Sequence, residues 1–301
     1  MPSFRAAPVR VRVPATSANL GPAFDSAGLA LALYDDVIVR IADSGLTVDV
    51  AGEGSQDLPR DKRHLVVKSL RAAFTALGGQ PRGLEVVCAN RIPQSRGLGS
   101  SSAAIVAAVV AARALVLGGE EILDDDAALR LATELEGHPD NVAACLRGGL
   151  TFAWTSAAGV QVHRVQVHPD VRPVAFVPST KASTKKVRGL LPETVPHADA
   201  AANSARTALL GFAMTSTPSL LLDATQDYLH QSYRASAMPR SAALVAALRA
   251  DGIPAVISGA GPTVLALASA ATVDAISARH PRGWEVLPLA VEPHGAVVLP
   301  L

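Results

Sequence analysis

The sequence predicts an α+β protein of two domains, and three observations lead there. Four strand-like segments precede the first strong helix, which begins near Ser101, so the N-terminal half is not a simple alternation of strand and helix. A strand, a glycine-bearing loop and a long apolar helix then follow one another between Leu84 and Leu117. Near the C-terminus, "PAVISGAGPTVLALA" reads as strand, glycine turn, strand. With 301 residues, 49% hydrophobic and 18% charged, the chain is long enough for two cores and has a globular composition. The expected division is 1–165 and 166–301.

Each element has a local reason. "VRVRV" from Val9 to Val13 alternates apolar and basic residues with period two, the mark of a half-exposed strand. "DDVIVRIAD" and "LTVDVAG" repeat the pattern, and "LEVVCANRIP" is a more buried version. Helices are expected over Leu65–Leu77, Ser101–Leu117 and Asp126–Glu136. The last is preceded by Asp124 and Asp125, acidic residues that suit the positive end of a helix dipole. "GGLTFAW" and "VQVHRVQVH" are strands, and "VHPDVRP" is a turn into the second unit. There "PVAFVP" is a strand, "STKASTKKVRGLLPETVP" a polar loop, and two helices occupy roughly 198–250.

Composition excludes some functions. The 27 basic and 26 acidic residues nearly cancel and aromatic residues are only 4% of the chain, which leaves no electrostatic footprint or stacking platform for nucleic acid. Cys88 and Cys145 have neither metal-ligand spacing nor the density of a secreted scaffold and read as reduced core thiols. The most apolar run, Ala103 to Ala112, is about half of what a membrane crossing requires. The N-terminus lacks the apolar core of a signal peptide, so the expectation is a soluble, cytoplasmic protein with no nucleic-acid or membrane partner.

The chemistry centres on "NRIPQSRGLGSSSAAIV". A strand ends near Ile92, a loop carries Pro93, Gly97 and Gly99, and a helix begins at about Ser101. First-turn N–H groups of a helix have no intrahelical partner and lie at the positive end of the dipole, which makes an anion site. A single serine would cap the helix; three serines behind G-x-G suit hydroxyls offered to phosphate oxygens and a metal. The Gly-Lys-Ser/Thr ending of a Walker loop and the third glycine of a dinucleotide fingerprint are both missing.

"PQSRGLGSSSA" resembles the ATP-binding motif of the GHMP small-molecule kinases, P-x-x-x-G-L-G-S-S-A, with Ser102 standing where alanine is common. "VPATSANLGPAFDSAGLAL" (13–31) and "ISGAGPTVLAL" (257–267) resemble that family's first and third motifs, in the right order. With "EGHPDNVAA" (136–144) and "STKKVRGLLP" (183–192), the likeness spans almost the whole chain and is to the homoserine kinase branch. It implies the two-domain GHMP kinase fold, N-terminal ribosomal-protein-S5-domain-2-like and C-terminal ferredoxin-like. It also implies ATP and Mg²⁺, and a small-molecule acceptor, L-homoserine, phosphorylated on its side-chain hydroxyl as a step toward threonine. A homodimer is the expected assembly.

The resemblance assigns residues. Pro93, Gln94, Ser95, Arg96, Gly97, Leu98, Gly99, Ser100, Ser101, Ser102 and Ala103 form the ATP phosphate loop. Asn19 and Asp25, which by themselves only build a turn, line the acceptor pocket, Asp25 taking the ammonium or the hydroxyl. Arg188 and Arg234 clamp the carboxylate, for which a guanidinium fork is better shaped than a lysine. Thr184, His138 and Gly259 stand with the substrate. In "TELEGHPDN" either Glu136 or Glu134 joins Ser101 on the metal, and Asp140 and Asn141 hydrogen-bond near the reacting oxygen, with the general base left unassigned. His64 stands where relatives often carry asparagine, in a segment bordering the adenine. The rival readings are a mevalonate-type or sugar kinase of the same superfamily, and a non-catalytic binding protein of that fold.

Overall fold

The computed structural model describes residues 2–181 and 187–301. Eleven strands form two sheets among these residues. The larger sheet holds β1 (Val9–Ala18), β2 (Ala27–Ala42), β3 (Gly45–Gly52), β4 (Gly83–Asn90), β5 (Leu150–Ser156), β6 (Gly159–Val165) and, from the far end of the chain, β11 (Val297–Leu299). β11 pairs with β1 antiparallel, so the C-terminal segment returns to the sheet built by the N-terminal half.

Alternation fixes the register. Val9, Val11 and Val13 are buried, while Arg10 and Arg12 face outward and hydrogen-bond Asp36 of β2 at 3.2 and 3.1 Å. Slipping β1 by one residue would bury both arginines and expose the valines, which is why the pairing Val11↔Val37 is specified. β3 and β4 run parallel and are joined by α1 (Leu65–Ala76), a crossover within an otherwise antiparallel sheet.

Helix α2 (Ser100–Leu115) is apolar all round and accordingly buried on nearly every side. It ends at Leu115 because Val116 turns to extended backbone and bridges Phe4. After a single turn, α3 (Gly119–Ile122), comes α4 (Asp125–Glu136), whose start is set by the Asp124 side chain accepting from the Ala127 N–H at 2.7 Å. Gly137, in left-handed backbone, stops α4, and Pro139 starts another helix two residues on, α5 (Pro139–Arg147). "HPDN", just past the expected helix end at Glu136, supplies the N-cap His138 and the first turn of this further helix. The cysteines are free and buried, as expected.

The second sheet is antiparallel, in the order β10 (Trp284–Pro288), β7 (Arg172–Pro178), β9 (Val264–Ala268), β8 (Ala255–Ile257). Its helices are α6 (His197–Thr215), the short α7 (Leu221–Ala224) and α8 (Gln231–Arg234), α9 (Pro239–Ala250) and α10 (Val273–Ser277). The expected two helices over 198–250 are α6 and α9, with short turns between them. Strand, helix, strand, strand, helix, strand with this spatial order is the ferredoxin-like arrangement. No helix among the described residues is long and apolar enough to cross a membrane.

Candidate active site

One cavity of about 290 Å³ lies between the two sheets' loops and takes residues from both halves of the chain. Its lining combines an apolar set, Val37, Leu58 and Leu65, with His64 and Asp35, the phosphate loop, and Arg188, Arg234 and Gly259.

The loop is held in shape by glycines that no other residue could replace. Gly97 has φ +82°, and a Cβ there would lie 2.3 Å from the Ser258 carbonyl oxygen. Gly99 has φ +71° and serves as N-cap of α2; a Cβ there would lie 1.9 Å from Thr16 Oγ1. The "SGAGPT" turn closes on this loop: the Ser258 hydroxyl donates to the Gly97 carbonyl at 2.6 Å, and the Thr263 N–H donates to the Arg96 carbonyl at 3.0 Å. Pro93, Gln94, Ser95, Gly97, Leu98, Gly99, Ser100, Ser101 and Ala103 all line the cavity. Arg96 does not: its guanidinium turns away to the Pro178 carbonyl (2.9 Å) and Glu53 (3.5 Å), tying the loop to the end of β7. Ser102 is also off the lining and fully buried.

Beside the helix start, Glu136 Oε1 accepts from the Ser101 hydroxyl at 2.6 Å and from the Ser102 hydroxyl at 2.9 Å. Glu134, the other candidate, is exposed and outside the cavity lining, because two positions along α4 turn its side chain well away from Glu136. A carboxylate with a hydroxyl at a helix N-terminus is a hard oxygen set, suited to a Mg²⁺ that completes its shell with phosphate oxygens and water.

At the start of α5, the buried Asp140 accepts from the Asn141 N–H at 2.7 Å and holds His138 Nδ1 at 2.7 Å, which raises the imidazole pKa. Asn141 Oδ1 accepts from Thr16 Oγ1 at 2.7 Å. Thr16, on β1, was missed by sequence reasoning: it connects the phosphate loop, through its closeness to Gly99, with the amide of Asn141. Its only sequence signal was its place inside the first motif.

Asn19 has both ends of its amide engaged, Nδ2 donating to the Gly259 carbonyl and Oδ1 accepting from the Asp25 N–H, each at 2.9 Å. It fastens the 19–25 loop to the "SGAGPT" turn. Asp25 itself does not stand open to a ligand. It is gripped by Arg188 through both guanidinium nitrogens, at 2.5 and 2.9 Å, and that pairing raises the Arg188 pKa. Two groups assigned to opposite charges of the acceptor are therefore paired with one another.

Arg234 is the anomaly of the site. It is 2% exposed, and its Nε and Nη2 have no hydrogen-bond partner among the described residues. Desolvation, and then the charge of Arg188, push its pKa below the ordinary guanidinium value. Phe24 lies beneath both arginines, 5.1 Å from Arg234 Cζ and 5.5 Å from Arg188 Cζ. Thr184 lies outside the described residues.

Family comparison agrees with the arrangement. Residues 64–149 match the model of the GHMP kinases N terminal domain and residues 212–286 that of the GHMP kinases C terminal domain. The homoserine kinase of Streptomyces avermitilis is 63% identical over 300 residues, covering 100% of this chain and 98% of that protein. The chain belongs to the homoserine kinase family of GHMP kinases. The Streptomyces coelicolor homoserine kinase is 64% identical over the whole of this chain and 97% of its own. Among solved structures, homoserine kinase from Cytophaga hutchinsonii superposes with a TM-score of 0.81 at 26% identity, covering 99% of each chain. Leishmania major mevalonate kinase shares the fold with a TM-score of 0.71 at 18% identity over 97% of this chain and 99% of its own. Membership of a kinase family implies ATP as the phosphoryl donor.

Asp35 also lines the cavity and was not singled out in the sequence. Its Oδ1 accepts from the Arg91 and Ile92 N–H groups at 2.6 and 2.9 Å, which anchors the chain just before the phosphate loop. Burial raises its pKa from 3.8 to about 6. The folded chain thus retains a proton that the unfolded chain releases between these values, so this stability is present at low pH and lost as pH rises through about 6. Asp35→Asn keeps the acceptor and removes the buried charge. It is expected to stabilise the protein at neutral pH by on the order of 3 kcal/mol. Urea unfolding at about pH 7.5 and again near pH 5 checks this; a gain that fails to shrink on acidification would refute it.

Proposed function

We propose that this chain transfers the γ-phosphoryl group of ATP to the side-chain hydroxyl of L-homoserine, giving O-phospho-L-homoserine and ADP. The observation that carries this reading is the buried fork of Arg234, unpartnered among the described residues, in the wall of the cavity that the phosphate loop also lines. A buried guanidinium without a counter-charge is costly, and an acceptor that brings a carboxylate removes the cost.

The neighbouring charges fit a zwitterion. Arg188 and Asp25 are paired with each other, and an amino acid offers each of them a replacement: its carboxylate to Arg188 with Arg234, its ammonium to Asp25. One ion pair is exchanged for two with no net charge buried, an exchange a neutral sugar could not drive. Asn141 and His138, both on the cavity wall, stand to hydrogen-bond the acceptor hydroxyl; Asp140, beneath them, fixes both. During transfer the hydroxyl oxygen bonds to phosphorus, the bond from phosphorus to the β-phosphate oxygen breaks to release ADP, and the hydroxyl proton passes to solvent water.

Residues 93–103 and the N-terminus of α2 would hold the phosphates, with Ser101 and Glu136 holding Mg²⁺. Bound there, Mg²⁺ would neutralise phosphate charge as it develops. Asn19 serves by fixing loop geometry and Arg96 by bracing the phosphate loop. Residues 1–165 in this reading supply the nucleotide site and residues 166–301 the carboxylate clamp, with β11 rejoining the first unit.

The test is ADP release with L-homoserine, mevalonate, galactose and shikimate as acceptors. Turnover is expected to be highest by far with L-homoserine. Equal or faster turnover with mevalonate, which carries a carboxylate but no ammonium, would overturn the assignment of Asp25 and with it the substrate.

A further inference from the structure

The clamp depends on a residue that does not itself reach the acceptor. His230, four positions before Arg234, is fully buried. Its Nε2 lies 2.8 Å from the Gly21 carbonyl oxygen, an acceptor only, so Nε2 must carry the ring proton. Nδ1 is then a lone pair, and Arg234 Nη1 lies 3.4 Å from it. The ring also stacks at a tilt on Phe24, with centroids 5.1 Å apart, so its plane is fixed from a second side.

This arrangement selects which edge of Arg234 is left over. Nη1 is directed to His230, while Nε and Nη2 have no partner among the described residues. Nε with Nη2 is a carboxylate fork, and Arg12 uses that same edge to grip Asp36 at 3.1 Å through each nitrogen. Asp227, the charged neighbour of His230, accepts from the Leu229, His230 and Gln231 N–H groups and so fixes the turn that carries the ring. Desolvation lowers the His230 pKa, in keeping with a neutral ring.

We infer that His230, as its neutral Nε2–H tautomer, is a positioning residue for acceptor recognition, engaging Arg234 Nη1 so that the Nε/Nη2 edge is presented to the substrate carboxylate. The inference rests on the reading of Arg234 as a carboxylate clamp.

Two substitutions separate this role from simple filling of space. His230→Asn keeps an acceptor at the position of Nδ1 and loses the donor to Gly21; His230→Gln keeps a donor at the position of Nε2 and loses the acceptor to Arg234. Each is assayed with L-homoserine and with 3-aminopropan-1-ol, which is homoserine without its carboxylate. His230→Gln is expected to raise the homoserine KM roughly 10- to 100-fold, the loss of one hydrogen bond orienting a charged group. Its kcat/KM for 3-aminopropan-1-ol and its ATP KM should be those of the wild type, and His230→Asn should stay within a few-fold of wild type on every substrate. If Asn and Gln are equally impaired, or if Gln lowers kcat/KM for both acceptors alike, His230 is only structural and the inference falls. If Gln leaves homoserine unaffected while the wild type still prefers it strongly to the amino alcohol, His230 is dispensable and the clamp stands. If the wild type itself shows no such preference, the clamp reading fails first.

Discussion

Glu136→Gln is expected to lower turnover roughly 10²- to 10³-fold with little change in the unfolding midpoint. Glutamine keeps the length of the side chain and still accepts from the Ser101 and Ser102 hydroxyls, which Glu136 does at 2.6 and 2.9 Å. What it removes is a negative charge beside the helix N-terminus, and phosphoryl transfer relies on charge placement more than on covalent help. The loss should ease as Mg²⁺ is raised, because a neutral oxygen binds a hard cation more weakly than a carboxylate does. Glu134→Gln is the control: exposed and off the cavity wall, it should stay within about twofold of wild type. ADP release measured across a Mg²⁺ titration checks both. Full activity in the Glu136 variant, or equal losses in the two, would remove Glu136 from the metal site.

The difference between those two glutamates shows how far sequence reasoning reaches. Strands such as β1 were legible because burial on one face imposes period two, and α2 because an all-apolar run of that length must be buried. The phosphate loop was legible because Gly97 and Gly99 sit where only glycine escapes collision. Choosing between Glu134 and Glu136 requires knowing which face of α4 meets the start of α2, a tertiary fact. Pro139 carries a local signal for the start of α5, and Gly137 one for the end of α4.

Other features lie beyond any local pattern. Asp25 and Arg188 are 163 positions apart, and their mutual pairing follows only once the 19–25 loop is folded against the second unit. Thr16 and Asn141, 125 apart, meet because α5 packs against β1 within the first unit. His230 gains its role from the Gly21 carbonyl, a backbone atom that no side-chain motif announces. The candidate residues that could be read from local pattern alone are those of the phosphate loop, most of which line the cavity. Of those it missed, Thr16 and Asp35 act through partners distant in sequence within the first unit, and His230 through a backbone atom of the other half of the chain.

Arg234→Leu should separate stability from function. The guanidinium is 2% exposed with two nitrogens unpartnered among the described residues, so removing it relieves a buried charge, and the unfolding midpoint of the variant should equal or exceed that of the wild type. Acceptor binding should collapse: truncating one partner of a buried, hydrogen-bonded charge pair costs about 2–5 kcal/mol, roughly a 30-fold or greater rise in the homoserine KM. The ATP KM should hardly move, because the residue packs on Phe24 and His230 and is assigned with Arg188 to the acceptor rather than to the nucleotide. Arg234→Lys should recover little, since a point charge cannot reproduce the Nε/Nη2 fork and its ammonium donates to His230 Nδ1 only by giving up the carboxylate. Calorimetry and steady-state kinetics on the same preparations read both effects. A variant that loses ATP affinity while binding homoserine normally would move Arg234 to the nucleotide. One that loses stability together with activity would show that the buried charge already has its counter-ion within the protein.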